Sequence, residues 1–271
     1  RSDYRARREA IDAFNASSRT QIKGLAMTAV KFGIAFTTRF LNQGNALVNI
    51  HQDGTVQVST GATEMGQGVN TKIRQIVADS FTIDPQDVIV MDTSTARNHN
   101  TSPTAASSGT DINGAAAVLA CEQLLVRLKN CVAYHFDHVD RDLTAEIEIP
   151  TRKLTPEAAH ISLEKGEFYH LKRPEQRLSF AEAVNLTYLN RISLSGYGFY
   201  KTPGIGFNKE TGEGHPFLYY TNGVAASEVL VDRFTGELKV LRTDILMDLG
   251  RPINAAIDYG QVSGAFVQGM G

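Results

Sequence analysis

Residues 64–71 read EMGQGVNT, and the run KIRQIVADSF follows directly. Gln67 stands between Gly66 and Gly68, so backbone can come close to a ligand while one amide offers both a donor and an acceptor. A helix start just behind such a loop favours anionic groups. Together these features suit a flat, polar ligand. A tight turn that closes a hairpin and enters a helix uses the same residues, and on this motif alone both readings stand. The stretch TSPTAASSGTD at 101–111 has the same logic. Ser102 can cap and Pro103 suits a first helical position, so a helix is expected to begin there. Its first turns then present Ala105, Ala106 and Ser107. Small side chains at a helix start give close backbone approach and free amide protons to an oxyanion or a metal's oxo group. The alternative is that the alanines serve tight helix packing.

Other chemistries fail on spacing. A dinucleotide fingerprint needs a third glycine three residues after the second, where Thr71 stands, and no Gly-Lys-Ser or Gly-Lys-Thr is present. His135 and His138 in HFDHVD lack a third ligand and lie in a charged region, which reads as a solvated face and not as a zinc site. No Gly-x-Ser-x-Gly elbow occurs. Cys121 ends an all-apolar run from Ala115, where a thiol packs and does not react.

The elements that must position these groups mix strands and helices without strict βαβ alternation, which predicts an α+β fold. Residues 24–40 read as one or two strands. NALVNIHQDGTVQVST (45–60) is a hairpin around Asp53-Gly54, and 224–243 a second hairpin around Arg233 to Gly236. Ile73, Ile76, Val77 and Phe81 recur at helical spacing before Pro85, and a second helix is expected over 105–128. Both hairpins are expected to pack against these two helices. SFAEAVNLTYLNR gives another helix, and Ser2-Asp3 caps an opening one. Residues 130–175 read as a charged, irregular surface excursion.

Composition bounds the function. With 27 Lys and Arg against 29 Asp and Glu, the net charge of −2 excludes a basic nucleic-acid face. The arginines of RSDYRARRE fit the wet side of an opening helix. No apolar run reaches the ~20 residues of a bilayer span. Two cysteines ten apart, Cys121 and Cys131, do not suggest a disulfide, and a cytoplasmic setting is expected. The capped start and the apolar, glycine-rich GAFVQGMG end suggest a fragment of a longer polypeptide.

TEMGQG, then TSPTAAS, then GQVSGAFVQG, in order with KFGIAFTTRFLNQG, GFYKTPGIGF and RTDILMDLGRPINAAIDYG, resemble the molybdenum hydroxylases. Within them the likeness is to the molybdenum-binding subunit of the xanthine dehydrogenases more than to the aldehyde oxidases. It covers nearly the whole of 1–271 as part of the molybdopterin-binding region, and 130–175 fits least well. The resemblance implies that Gln67, with Gly66 and Gly68, contacts molybdopterin. It places Ala106 beside molybdenum through its backbone, with Ala105 and Ser107 adjoining. Gln261 is implied as a second pterin contact, and Phe36 and Thr37 as the border of the substrate ring. The activity it implies is oxidation of hypoxanthine and xanthine to urate with water-derived oxygen. It implies 2Fe-2S clusters and FAD in other domains or subunits, and a homo-oligomeric intact enzyme. The general base and the other pocket wall would lie outside this chain, so no catalytic residue is assigned within it.

Overall fold

Alternation of apolar and polar residues decides most strands of the computed structural model, which describes residues 2–98, 101–138 and 148–271. In chain order the elements are α1 (Tyr4–Ser17), β1 (Gln21–Ile34), β2 (Gln43–Ile50), β3 (Val56–Thr60), α2 (Val69–Phe81), β4 (Val88–Val90) and α3 (Gly109–Asp137). Then come β5 (Ile161–Glu164), β6 (Glu167–His170), β7 (Arg173–Ser179), α4 (Phe180–Leu189), β8 (Ser195–Lys201), β9 (Gly206–Asn208) and β10 (Glu213–His215). The chain finishes with β11 (Tyr219–Asp232), β12 (Leu238–Met247) and α5 (Ala255–Met270). The mixture is α+β, as expected. It divides into two units, residues 35–218 and residues 1–34 with 219–271.

In the 35–218 unit, β4-β3-β2-β8 form one sheet in which only β3 and β4 run parallel. The Asp53-Gly54 hairpin sets Val48 opposite Val58 and Ile50 opposite Val56. Those side chains are buried with Ile73, Val77 and Phe81 of α2 and Ala116, Ala120 and Leu124 of α3. Thr82, left-handed at φ 51°, ends α2 three residues before Pro85. Two glycines of β8 let α3 lie directly on that strand. A Cβ on Gly198 would sit 1.9 Å from the Ala116 carbonyl oxygen, and one on Gly196 2.7 Å from that of Ala120. Within the run from Ala115 to Cys121, Ala116, Ala117, Ala120 and Cys121 are buried while Ala115, Val118 and Leu119 are half-buried. The run is thus enclosed on one side and not all round, and burial pushes the Cys121 thiol up to about 12.

Two expectations for this unit need correction. The helix expected from Pro103 begins at Gly109, and Ser108, not Ser102, holds the N-cap position. Ala106 and Ser107 each have φ 55°, in the left-handed region, so no helix can run through them. The described part of the excursion at 130–175 is regular structure and not irregular surface. Asn130 to Ala133 and Phe136 are buried on α3, and β5-β6-β7 form an antiparallel sheet. Its charges are the outward half of an alternation whose inward half, Ile161 and Phe168, joins the core. The Phe168 and Phe81 rings both pack on Phe180, at 6.3 and 5.4 Å between centroids. Residues 139–147 lie outside the described residues.

In the other unit, residues 24–34 belong to a single strand, and the sheet order is β1-β11-β12. The 224–243 hairpin therefore pairs with β1, and within this unit the helix packed on that sheet is α1. Arg7 of α1 bonds Glu228 at 3.0 Å and Asp244 at 2.7 Å, and Asn15 exchanges two bonds with the Lys23 backbone. Asp3 precedes α1 at φ 48° without a side-chain cap. Helix α5 carries no clear periodic signal in the sequence, because its glycines mask the pattern. It starts at Asn254, whose Oδ1 accepts from the Ile257 N–H at 3.0 Å, and none of its residues is buried.

Candidate functional site

Strand register brings five segments of the 35–218 unit to one end of its main sheet. Ala46 faces Thr60 across an antiparallel pair, so the segment before β2 and the loop after β3 leave on the same side. The parallel β3/β4 pair sends residues 91–98 there too. Lys201 lies opposite Gln43, and the Thr202 N–H donates to the Asn42 carbonyl at 3.0 Å. The segment before α3 joins them by close packing. A Cβ on Gly61 would meet Thr101 Cγ2 at 2.1 Å, and one on Gly44 would meet Ile112 Cγ2 at 2.5 Å.

The 61–68 loop is closed by its own side chains. Glu64 Oε1 accepts from the Gly66 N–H at 2.8 Å and the Gly68 N–H at 3.0 Å, while Oε2 accepts from the Asn70 N–H at 3.0 Å. Gly66 at φ 94° and Gly68 at φ 78° have the handedness that turns these donors inward. Burial alone would raise the Glu64 carboxyl, but the backbone N–H groups of Asn70, Gly68, Gly66 and Met65 together hold it below the usual range. The anion at the start of α2 is thus the chain's own. Gln67 folds back over the loop, its Oε1 accepting from the Met65 N–H at 2.6 Å and its Nε2 donating to the Thr63 carbonyl at 2.8 Å. One amide proton and one lone pair remain for a ligand.

The Thr63 N–H donates to Thr104 Oγ1 at 2.9 Å, tying this loop to the one before α3. There the Ser108 hydroxyl turns away from its helix and donates to the Ala105 carbonyl at 3.1 Å, so it makes no capping bond. Two consecutive left-handed non-glycine residues cost of order 1–3 kcal/mol each. Asn113, one turn into α3 and 6% exposed, donates to the Gly109 carbonyl, while its Oδ1 has no partner among the described residues. A Cβ on Gly44 would lie 3.4 Å from that oxygen.

Phe36 and Thr37 sit in the third segment, half-buried and exposed respectively. Buried Asn42 holds it, its Oδ1 accepting from the Phe36 N–H at 2.8 Å and its Nδ2 donating to the Phe36 carbonyl at 2.9 Å. Gly66, Gln67, Gly68, Ala105, Ala106, Ser107, Phe36 and Thr37 therefore share one sheet end. Gln261 is in the other unit, exposed on α5. His138 is exposed and stacks on Tyr134 at 4.2 Å between ring centroids.

Sequence reasoning missed Glu64, Thr104, Asn42 and Asn113. Glu64 alone left a signal, an acid two and four residues before glycines at a helix start. The site offers small side chains, an N-cap without a capping side chain and, at Gly66, open space within 4 Å of where a Cβ would stand. With the orphaned Asn113 acceptor, this arrangement fits a flat, polar ligand that carries both donors and an anionic group.

A family model of the molybdopterin cofactor-binding domain matches residues 1–271. The xanthine dehydrogenase/oxidase of Felis catus is 42% identical over 270 residues, which is 100% of this chain and 17% of that protein. The xanthine dehydrogenase of Oryza sativa subsp. japonica is 41% identical over 264 residues, 97% of this chain and 16% of that protein. The chain thus spans about a sixth of the length of the curated relatives it matches. In fold it is similar to the CO dehydrogenase from Oligotropha carboxidovorans, with a TM-score of 0.74, 20% identity, and cover of 97% of this chain and 30% of that one.

Proposed function

The chain belongs to the molybdopterin cofactor-binding domain family, and from that premise we propose that it is a segment of a molybdenum-dependent hydroxylase acting on hypoxanthine and xanthine. The observation that carries this reading is the gathering of the Gln67 loop, the 101–108 segment and the Phe36 segment at one sheet end, in a chain 42% identical to a protein named xanthine dehydrogenase/oxidase. When bound, the molybdenum centre of the pterin supplies the redox chemistry that hydroxylates an electron-poor carbon with water-derived oxygen.

The chain's own residues bind and orient. Gln67 gives its remaining amide proton and lone pair to the pterin, and Gly66 and Gly68 let it approach. The backbone of Ala105, Ala106 and Ser107 faces the metal end, where the small side chains and the N-cap without a capping side chain leave room for an oxyanion. Gln261 contacts the pterin from α5. Phe36 packs against the substrate ring and Thr37 hydrogen-bonds one of its substituents.

The general base, the 2Fe-2S clusters and FAD belong to other parts of the intact enzyme, which we place in the cytoplasm as a homo-oligomer. Among the described residues no helix is long and apolar enough to cross a membrane.

The test is metal and pterin analysis of the full-length protein, with xanthine and aldehyde turnover measured side by side. Stoichiometric molybdenum with xanthine turnover is expected. Preference for aldehydes would move the substrate to the aldehyde oxidase type. Full-length protein without molybdenum or pterin would leave a non-catalytic module.

A further inference from the structure

One carboxylate gathers three backbone N–H groups within seven residues: Glu64 Oε1 takes those of Gly66 and Gly68, and Oε2 takes that of Asn70, all at 2.8–3.0 Å. The Gln67 amide grips the two residues that flank Glu64, accepting from Met65 and donating to Thr63. Residues 63–65 are therefore held from one side by the carboxylate and from the other by the amide. Neither grip is redundant. Without the carboxylate, the peptides of Met65 and Gly66 lose their anchor to α2, and Gln67 loses the fixed donor that sets its side-chain orientation.

We propose that Glu64 is a positioning residue, whose carboxylate holds the 64–70 loop in the one shape that presents Gln67 to the cofactor. Two features favour a dedicated clamp over an ordinary helix cap. The acid comes from four residues before the N-cap Gly68, further than a side chain at the cap itself would reach, and it needs two left-handed glycines to work. A charged acceptor also strengthens each of its bonds relative to a neutral one. A neutral amide at 64 keeps the shape of the side chain but offers only one acceptor oxygen, so the Asn70 N–H must go unpaired or turn to solvent.

The inference rests on the reading that Gln67 contacts the pterin, and the experiment separates the two. Full-length holoprotein is prepared as wild type, Glu64→Gln, Gln67→Ala and the double variant. Three quantities are read: pterin retained after gel filtration, hydrogen exchange by mass spectrometry of peptides spanning 64–70, and thermal midpoint.

For Glu64→Gln we expect exchange across 64–70 to quicken about tenfold, the scale of losing one charge-assisted bond of ~1.5 kcal/mol. Pterin should fall to the level of Gln67→Ala while the thermal midpoint moves little. The double variant should retain no less pterin than Gln67→Ala alone, because both changes disable the same contact. Wild-type exchange in Glu64→Gln would overturn the clamp. Faster exchange with full pterin would reduce Glu64 to a helix cap and overturn the positioning role. Full pterin in Gln67→Ala would remove the underlying reading, and the positioning role with it, while the exchange data still report whether the carboxylate holds the loop. If Glu64→Gln does not accumulate, Glu64→Asp, charged but one methylene shorter, carries the same readouts and should lose less pterin.

Discussion

Two helices start at the same end of the main sheet and finish their N-termini in opposite ways. At α2, Glu64 fills the position an external anion would take, with three backbone donors on one carboxylate. At α3, the N-cap Ser108 turns its hydroxyl to Ala105 and makes no capping bond, after two left-handed residues that cost free energy to hold. A helix end that gives up a cap worth ~1 kcal/mol and adds strain is better explained by a ligand than by stability. The pair teaches that a glycine-rich turn before a helix is not by itself an anion site. What matters is how the chain uses its own acids: Glu64 takes three N–H groups at the α2 end, whereas α3 carries Asp111 in its first turn and an N-cap side chain that makes no capping bond.

The largest test of this contrast acts on the body of α3. Gly198→Ala puts a methyl where only 1.9 Å separates it from the Ala116 oxygen, so α3 must lift off β8. We expect a loss of about 3 kcal/mol in chemical denaturation, with hydrogen-exchange protection lost at the start of α3 and kept at the start of α2. Equal losses at both ends would show that the two termini are not independent.

Next in size is a change that makes α3 resemble α2. Gly109→Asp adds a carboxylate at the first helical position, where a Cβ would lie at ordinary van der Waals distance, 3.5 Å, from Thr104 Cγ2. Molybdenum content of the full-length protein should fall about tenfold through charge repulsion with an anionic ligand, while the thermal midpoint holds or rises. Unchanged molybdenum would mean that the α3 terminus carries no anionic group.

Smaller again is the strain itself. Ala106→Val should destabilise by ~1–2 kcal/mol, because a β-branched residue resists φ 55° more than alanine does. Ala106→Gly should stabilise by under ~1 kcal/mol. If Ala106→Val denatures with the wild type, Ala106 does not hold that conformation.

The smallest effect is that of pH. Glu64 has its carboxyl depressed in the folded protein, so its contribution is complete above the unfolded carboxyl range and is lost as pH falls through the lower folded value. Protection factors at 66–70 should drop below about pH 4.5 while those at the start of α3 change less. Parallel loss at both ends would place the titrating group elsewhere.

The sequence made these differences only partly readable. The hairpin at 45–60 and the one-faced helix ending at Phe81 follow from short-range periodicity, which local sterics and burial enforce. Helix α3 starts six residues beyond Pro103 although Ser102-Pro103 has the chemistry of a cap and first turn. The left-handed pair at 106 and 107 prevents a start there, in a segment that the Thr63–Thr104 bond ties to a loop 41 residues earlier, a contact invisible at short range. The β5-β7 sheet was hidden by charge on its outward face, and α5 by its glycines. The Gln67 motif can be recognised from sequence, and Glu64 leaves only a spacing signal before the two glycines, whose meaning depends on the three donors that the fold places around it.

The seat of α3 on β8 has a further consequence. Where helices rest on side chains, methyl groups act as shims, and substitutions can raise or lower the helix by fractions of an ångström. Here carbonyl oxygens of Ala116 and Ala120 rest against Gly198 and Gly196 with no side chain between. The helix sits on a hard stop and not a spring. Its height above the sheet, and so the depth at which its first turn is offered, is set at Gly198 by backbone alone and cannot be tuned by exchanging a core residue such as Leu128. Laboratory evolution aimed at the reaction geometry should find its gains in the flanking loops and almost none in the helix interior, where substitutions will alter stability alone.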